Sequence, residues 1–258
     1  MRLLRLLCLS LCCLSLPLLA SPRIAIIIDD IGYQRADLKM VELPHALTYA
    51  VLPHTPYGRQ AARQAAQAKK DVMLHMPMEA SQQNALGPGA LTRNMSRQQI
   101  HHTLQQALAD IPYAIGINNH MGSLFTALEQ PMDWTMEYLQ QRRLFFVDSL
   151  TTPQSTAKKY ASQHGVTLLS RHVFLDNELS EAALERQFKQ LLQIARRHQV
   201  AIAIGHPYPE TYRFLKHRLP QLQAEGIELV GISALLPQEH QVIAAGVTAP
   251  AIAAPQEE

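Results

Sequence analysis

Residues able to ligate a metal or move a proton collect where short apolar runs stop: Asp29, Asp30, His75, His120, Asp148, Arg171, His172 and His206. Carboxylate and neutral imidazole together suit Zn²⁺ and similar divalent ions. One aspartate with two histidines would leave a coordination position open to water, the pattern of a catalytic rather than a structural site. The adjacent Asp29 and Asp30 can divide the labour, because neighbours on a strand end point differently. One binds metal and the other accepts a proton; a histidine across the site donates one to a leaving group. Each residue alone has a plainer reading. Asp148 can cap the helix that follows it, and a lone histidine is usually packed or solvated. His45, His101, His102, His164, His198, His217 and His240 are read that way. What sets the strand-end residues apart is their recurrence at matching places.

The runs that position these residues span 24–28, 47–52, 71–74, 114–117, 144–147, 166–169, 201–204 and 227–230. Short, largely apolar and often β-branched, with 24–28 wholly apolar, they read as parallel strands buried on both faces. Helical stretches alternate with them at 57–70, 96–110, 131–142, 180–198 and 210–225. Ser96 and Gln99 have the spacing of a capping box, and Ile100, Leu104 and Leu108 follow as an apolar stripe. Pro131 suits a first helical turn, and Pro220 bends or breaks the last helix. Residues 81–93, with Gly87-Pro88-Gly89, read as a long loop. The alternation predicts an α/β fold: a distorted (β/α) barrel of seven or eight mostly parallel strands with outer helices. An open doubly wound sheet is the alternative. In a parallel barrel the carboxyl ends of the strands converge on one face, which carries active sites.

Residues 1–20 begin with Met1, Arg2 and Arg5, continue through an apolar run and end in small residues. That is the make-up of a secretory signal peptide, and the run is shorter than the roughly 20 apolar residues of a membrane span. An uncleaved anchor or a lipoprotein fits less well. Cleavage after Ala20 removes Cys8, Cys12 and Cys13, so the exported chain holds together without disulfides. It also removes two of the 23 basic residues and leaves them balanced by 21 acidic ones. A chain of zero net charge lacks the basic stripe that nucleic acid requires. The domain proper is 21–236; 237–258, rich in Ala, Pro and Gln, reads as a disordered tail.

Asp29-Asp30-Ile31-Gly32 resembles the Asp-Asp-Gly strand end of the polysaccharide deacetylases. His75-Met-Pro-Met-Glu79, Asn118-Asn-His120-Met-Gly, Val147-Asp-Ser149 and Gly205-His-Pro207 resemble the divergent branch of that family, within the wider glycoside hydrolase/deacetylase barrel superfamily. The resemblance covers about 22–236 and implies a barrel that acts on N-acetylated sugars. By position it makes Asp29 the base, Asp30 a metal ligand, His75 the first metal histidine and His206 the general acid. The standard pattern has two histidines four apart, but here the second place holds Glu79. His120 is therefore the preferred third ligand, by likeness to a more distant branch with a histidine after the next strand. Glu79 and Asp148 are possible additional ligands. Arg171 is a possible substitute for a missing Arg-Pro-Gly motif that sets a positive charge near the base.

The function implied is a metal-dependent hydrolase, zinc being the expected ion, of the carbohydrate N-deacetylase class. Its substrate would be a glycan of the periplasmic envelope, with no nucleic acid and no membrane span after cleavage. The alternatives are a degenerate metal- or glycan-binding module and a partner protein in murein remodelling tethered by the tail. Tyr57, Trp134 and Tyr208 could stack on a sugar or simply pack.

Overall fold

The structure, a computed structural model, describes residues 21–82, 85–238 and 241. The proposed leader 1–20 and most of the tail 237–258 lie outside the described residues. One sheet organises the chain. Its strands are β1 (Arg23–Ile31), β2 (Thr48–Val51), β3 (Val72–Met78), β4 (Gly116–Met121), β5 (Phe145–Asp148), β6 (Leu168–Ser170), β7 (Val173–Phe174), β8 (Val200–Gly205) and β9 (Glu228–Leu229). The spatial order is β6-β5-β4-β3-β2-β1-β8-β7, with β9 also on β1, and every pairing is parallel. Successive strands lie side by side and β8 returns to β1. That is barrel winding; a doubly wound sheet reverses its order at a switch point. The sheet curls into a half-barrel whose path ends at β6 and β7.

Helices α1 (Asp37–Val41), α2 (Gly58–Gln67), α3 (Arg97–Asp110), α4 (Glu129–Arg142), α5 (Ala157–His164), α6 (Glu181–His198) and α7 (Pro209–Arg218) connect the strands. The capping box at α3 is formed, with Ser96 and Gln99 each accepting the other's backbone N–H. Helix α4 starts two residues before Pro131, and α7 gives way to a 3-10 turn at Leu219–Gln221, where Pro220 cannot continue it. Strand β3 runs on past the expected Leu74 to Met78. Two-residue β7, five-residue α1 and eight-residue α5 are absent from the sequence reading. Each is too short for a hydrophobic period to register.

Side chains alternate between two cores. Ile24, Ile26 and Ile28 of β1, Leu74 and Met76 of β3, Phe146 of β5 and Ala201 and Ala203 of β8 join the helices in the outer core. Ala25 and Ile27, Met73, Phe145 and Val147, and Ile202 and Ile204 fill the concave interior. This period of two is the strand's own.

The 3-10 turn Ile232–Leu235 closes the interior at its amino end. Ile232 N–H donates to Thr48 Oγ1 (2.9 Å), and Ser233 donates through N and Oγ to the Asp71 carboxylate (2.7 and 3.0 Å). Ile232 is fully buried in the interior core. Ile232→Ala should lower unfolding free energy by about 2–5 kcal/mol, read from the midpoint of urea denaturation.

Candidate active site

Alternation sends Asp29 inward, in line with Ala25 and Ile27, and would send Asp30 out toward the helices. It does not, because β1 carries an extra residue there. Ile28 pairs with Tyr49 but Ile31 with Val51, a three-residue step against two. That is a β-bulge. Asp30 takes φ 57°, in the left-handed region, at a cost of about 1–3 kcal/mol. The bulge turns its carboxylate back onto the concave face, and Ile31 rejoins the outer core. The exit is fixed by Asp37, whose Oδ2 accepts from Gly32 N (3.0 Å) and Gln34 N (2.9 Å). Gly32 has φ 133°, and a Cβ there would lie 2.2 Å from Thr55 Oγ1, so no other residue fits.

Interior alternation on β3 and β4 presents His75, Asn118 and His120 to the same face. Asp30 Oδ1 lies 3.1 Å from His75 Nε2 and 2.8 Å from His120 Nδ1, and the two nitrogens are 3.2 Å apart. These atoms form the group of possible metal ligands among the described residues. Ligand atoms held tetrahedrally at about 2.0–2.1 Å from an ion lie about 3.3 Å apart, so the donor set fits a divalent ion of zinc's size. The surroundings fit as well. Asn118 Nδ2 donates to Asp29 Oδ1 (2.8 Å), which leaves Asn118 Oδ1 to accept from His75 Nδ1 (2.9 Å). In its neutral form, with the proton on Nδ1, His75 would turn a bare Nε2 toward His120 and Asp30; in the metal-free chain, burial opposes the charged imidazole but Asp29 and Asp30 raise its proton affinity. Such an outer hydrogen bond sets the tautomer of a metal-binding histidine. Lone pairs facing each other this closely need a proton or a cation among them.

Asp29 is buried, and its Oδ2 lies 3.6 Å from His75 Nε2. Burial pushes its carboxyl above the usual range against the opposing charges of His75 and His206. Asp30 goes the other way: burial would raise it, but hydrogen bonds from His120 and His75 and their charges hold it well below the ordinary carboxylate value. His206 follows β8 on the interior register. Its Nδ1 meets Asp176 Oδ1 at 2.9 Å and its N–H donates to Asp176 Oδ2 (2.6 Å), which also accepts from Thr211 Oγ1 (2.8 Å). Its Nε2 lies 4.0 Å from Asp30 Oδ2. Burial would depress the imidazole, but Asp176, with the charges of Asp30 and Asp29, raises it to about 9.

The remaining expected residues lie elsewhere. Glu79 accepts from Arg93 through N–H (2.7 Å) and Nε (2.8 Å), pinning the 81–93 loop rather than joining the donor atoms. Asp148 falls on the outer register of β5, with Phe146. Its oxygens accept from Leu150 N (2.8 Å) and Ser155 Oγ (2.6 Å), so it caps the approach to α5. The Arg171 guanidinium donates to the carbonyls of Ser149 (2.7 Å) and Leu150 (3.2 Å) and stacks on Phe174. Positive charge at Asp29 comes from His75 and His206 instead. His172 is exposed, its Nδ1 accepting from Ile202 N (3.1 Å). Tyr208 is an exposed rim residue 5.7 Å from the His206 ring, whereas Tyr57 and Trp134 pack against the outer core. Asn118 and Asp176 are the functional residues the sequence reading lacks. Carrying the strand alternation through to the last residue would have found Asn118 and set Asp148 aside; Asp176 follows a strand too short to read.

The model of the divergent polysaccharide deacetylases matches residues 26–236. The chain belongs to that family. An uncharacterized protein of Haemophilus influenzae is 40% identical over 217 residues, 84% of this chain and 77% of that one. The uncharacterized protein YibQ of Escherichia coli is 38% identical over 223 residues, 84% of this chain and 70% of its own. Among solved structures, an uncharacterized protein of Agrobacterium tumefaciens has a TM-score of 0.80 at 24% identity, covering 84% of this chain and 89% of that chain. More distant folds include the catalytic domain of a peptidoglycan N-acetylglucosamine deacetylase of Eubacterium rectale (TM-score 0.50, 13% identity, 84% and 91% covered). A pseudoenzyme of Bacillus anthracis also shares the fold (TM-score 0.51, 14% identity, 84% and 66% covered). This divergent deacetylase chain thus shares its fold with an enzyme and with an inactive relative of that class.

The Asp176–His206 pair makes a testable statement. His206 is raised above its ordinary 6.5 to about 9, so the pair's stabilisation is complete below pH 6.5 and is lost as pH rises through about 9. In metal-free protein, Asp176→Asn should bring the NMR titration of His206 down toward 6.5 or below and abolish that alkaline loss of stability.

Proposed function

We propose that the chain is a metal-dependent hydrolase of the carbohydrate N-deacetylase class, acting on an N-acetylated glycan of the cell envelope. The observation that carries this reading is the convergence of Asp30 Oδ1, His75 Nε2 and His120 Nδ1 beside a buried carboxylate, Asp29, and an imidazole held by a second carboxylate, Asp176. Family membership supports the reaction class. The peptidoglycan deacetylase fold suggests the kind of glycan, and the leader 1–20 suggests the compartment, the periplasm.

Asp30, His75 and His120 would hold the ion. A bound divalent ion such as zinc lowers the pKa of a water and polarises a carbonyl. The chain's own groups handle the protons. Asp29, whose buried carboxyl has a raised proton affinity, takes a proton from the attacking water at Oδ2. Asn118 holds Oδ1 of that carboxylate and Nδ1 of His75 at once, fixing base and ligand relative to each other. His206 keeps its proton at neutral pH and is oriented through Nδ1 by Asp176, so Nε2–H is the group that protonates the departing amine. The amide C–N bond breaks, and acetate and a free amino sugar result.

One arrangement favours a second reading. Glu79 is committed to Arg93 and Arg171 to backbone carbonyls, so two places that the standard enzymes use for chemistry here serve structure. On that reading the site binds metal and glycan without turnover, as a module for a murein-remodelling partner.

Elemental analysis of the purified mature chain should find about one divalent ion per molecule, lost in His120→Ala and kept in Glu79→Ala. Absence of metal even after reconstitution with zinc would sink both the mechanism and the ligand set. Asp29→Asn should keep the metal and lower deacetylation of an N-acetylated oligosaccharide by about 10²–10⁴-fold. Wild-type protein that loads metal yet releases no acetate would favour the binding module.

A further inference from the structure

A cavity opens on the same rim of the half-barrel, outside the site. Helices that follow parallel strands start at the strands' carboxyl face, and this cavity lies between the first turns of α3 and α4. Its volume is about 550 Å³, within the range of small-ligand pockets. Met95, Leu128 and Trp134 give it an apolar lining; Arg93, Asn94 and Gln130 give it polar groups. Trp134 is the only tryptophan of the chain and is half-buried.

What is left unpaired in this lining decides its chemistry. The charged groups are already neutralised: Arg93 is paired with Glu79, and Glu129 with Lys159. The amino end of α3 is closed by its own capping box, through Ser96 and Gln99. An anion would therefore find no free positive charge. The side-chain amides of Asn94 and Gln130 and the indole N–H of Trp134 make no hydrogen bond among the described residues. A half-buried indole lining the cavity beside the exposed amides of Asn94 and Gln130 suits a sugar ring, which offers an apolar C–H face and hydroxyl or acetamido groups at its edge.

The cavity is also linked to the site. Arg93 bonds Glu79 at 2.7–2.8 Å, and Glu79 lies four residues beyond His75 along extended chain, roughly 13 Å. A single sugar cannot touch both, but a short oligosaccharide can. We infer that the cavity at Trp134 is a remote subsite for a neutral N-acetylated glycan, so that the chain engages oligomers rather than monosaccharides. The inference rests on the deacetylase reading for its substrate class only.

Because Trp134 is the only tryptophan, its emission reports on this cavity alone. The zinc-loaded mature chain would be titrated with N-acetylglucosamine and with its β-1,4-linked pentamer, following fluorescence, calorimetric binding and acetate release in parallel. The pentamer should change Trp134 emission saturably, and the monosaccharide at equal concentration should not. Trp134→Ala should weaken calorimetric binding of the pentamer about tenfold, and Trp134→Phe, which keeps an aromatic face, should recover most of it. Asn94→Ala, at an exposed position, provides an independent variant with the same expected direction. A pentamer that binds or is deacetylated with no change in emission overturns the subsite and leaves the deacetylase reading standing. Emission that responds without acetate release keeps the subsite and removes that reading. No binding of the pentamer by any measure overturns the subsite.

Discussion

The site depends on one extra residue in β1. A strand shows alternate side chains to alternate faces, so consecutive aspartates cannot both reach the concave side of a regular strand. The bulge between Ile28 and Ile31, with Asp30 at φ 57°, breaks that rule at one place. It lets both carboxylates face the concave side, Asp30 beside two imidazoles and Asp29 buried next to His75. The surrounding structure is built to hold this unfavourable turn. The flanking residues Ile28 and Ile31 are both buried in the outer core, Asp37 ties down the exit, and Gly32 fits where a side chain would strike Thr55. Strain of this kind persists only where packing over-determines it.

Electrostatics then separates two carboxylates that the sequence makes neighbours. Asp30 is held low by two imidazoles that outweigh its burial; Asp29 is buried and is held high. Asn118 reaches both sides of this division. Its amide cannot flip without placing its carbonyl against Asp29 Oδ1, so the carboxylate dictates the amide and the amide dictates the His75 tautomer. His206 receives the same treatment from Asp176, just beyond the end of the neighbouring strand β7. His75 and His206 are thus each oriented by a group outside the donor set. That is how a preformed site avoids reorganising when charge appears in it.

The barrel and its active face were legible because each buried parallel strand is a run of apolar residues with an abrupt polar end. The alternative sheet failed on strand order, which composition does not encode. Asp29, Asp30, His75, His120 and His206 were legible for the same reason, and the structure gathers them. Asp148 belongs to the same pattern of strand ends, yet it points outward because β5 ends one register step later. Amides and caps were harder. Asn118 reads as part of a motif rather than as a link between Asp29 and His75, and Asp176 follows a two-residue strand with no period to read. Arg171 had the right charge and the right place in the chain, but its guanidinium completes backbone carbonyls. Those contacts depend on how the 149–151 turn folds.

The departure from two histidines four apart is less severe than it looks in sequence. Strands β3 and β4 are paired with His75 opposite Asn118 and Pro77 opposite His120, and adjacent strands are about 4.8 Å apart. A ligand on the neighbouring strand, two residues further along, therefore points into the same space that a ligand on the loop after β3 would reach. Moving the third donor to His120 places it on a rigid element, with 17% of its side-chain surface exposed. It also releases Glu79, which now holds Arg93 and with it the loop bordering the Trp134 cavity. In an enzyme with its ligand at that loop, movement of the rim would disturb the metal. Here the rim loop is held through Glu79, while the three converging atoms belong to Asp30, His75 and His120 on β1, β3 and β4.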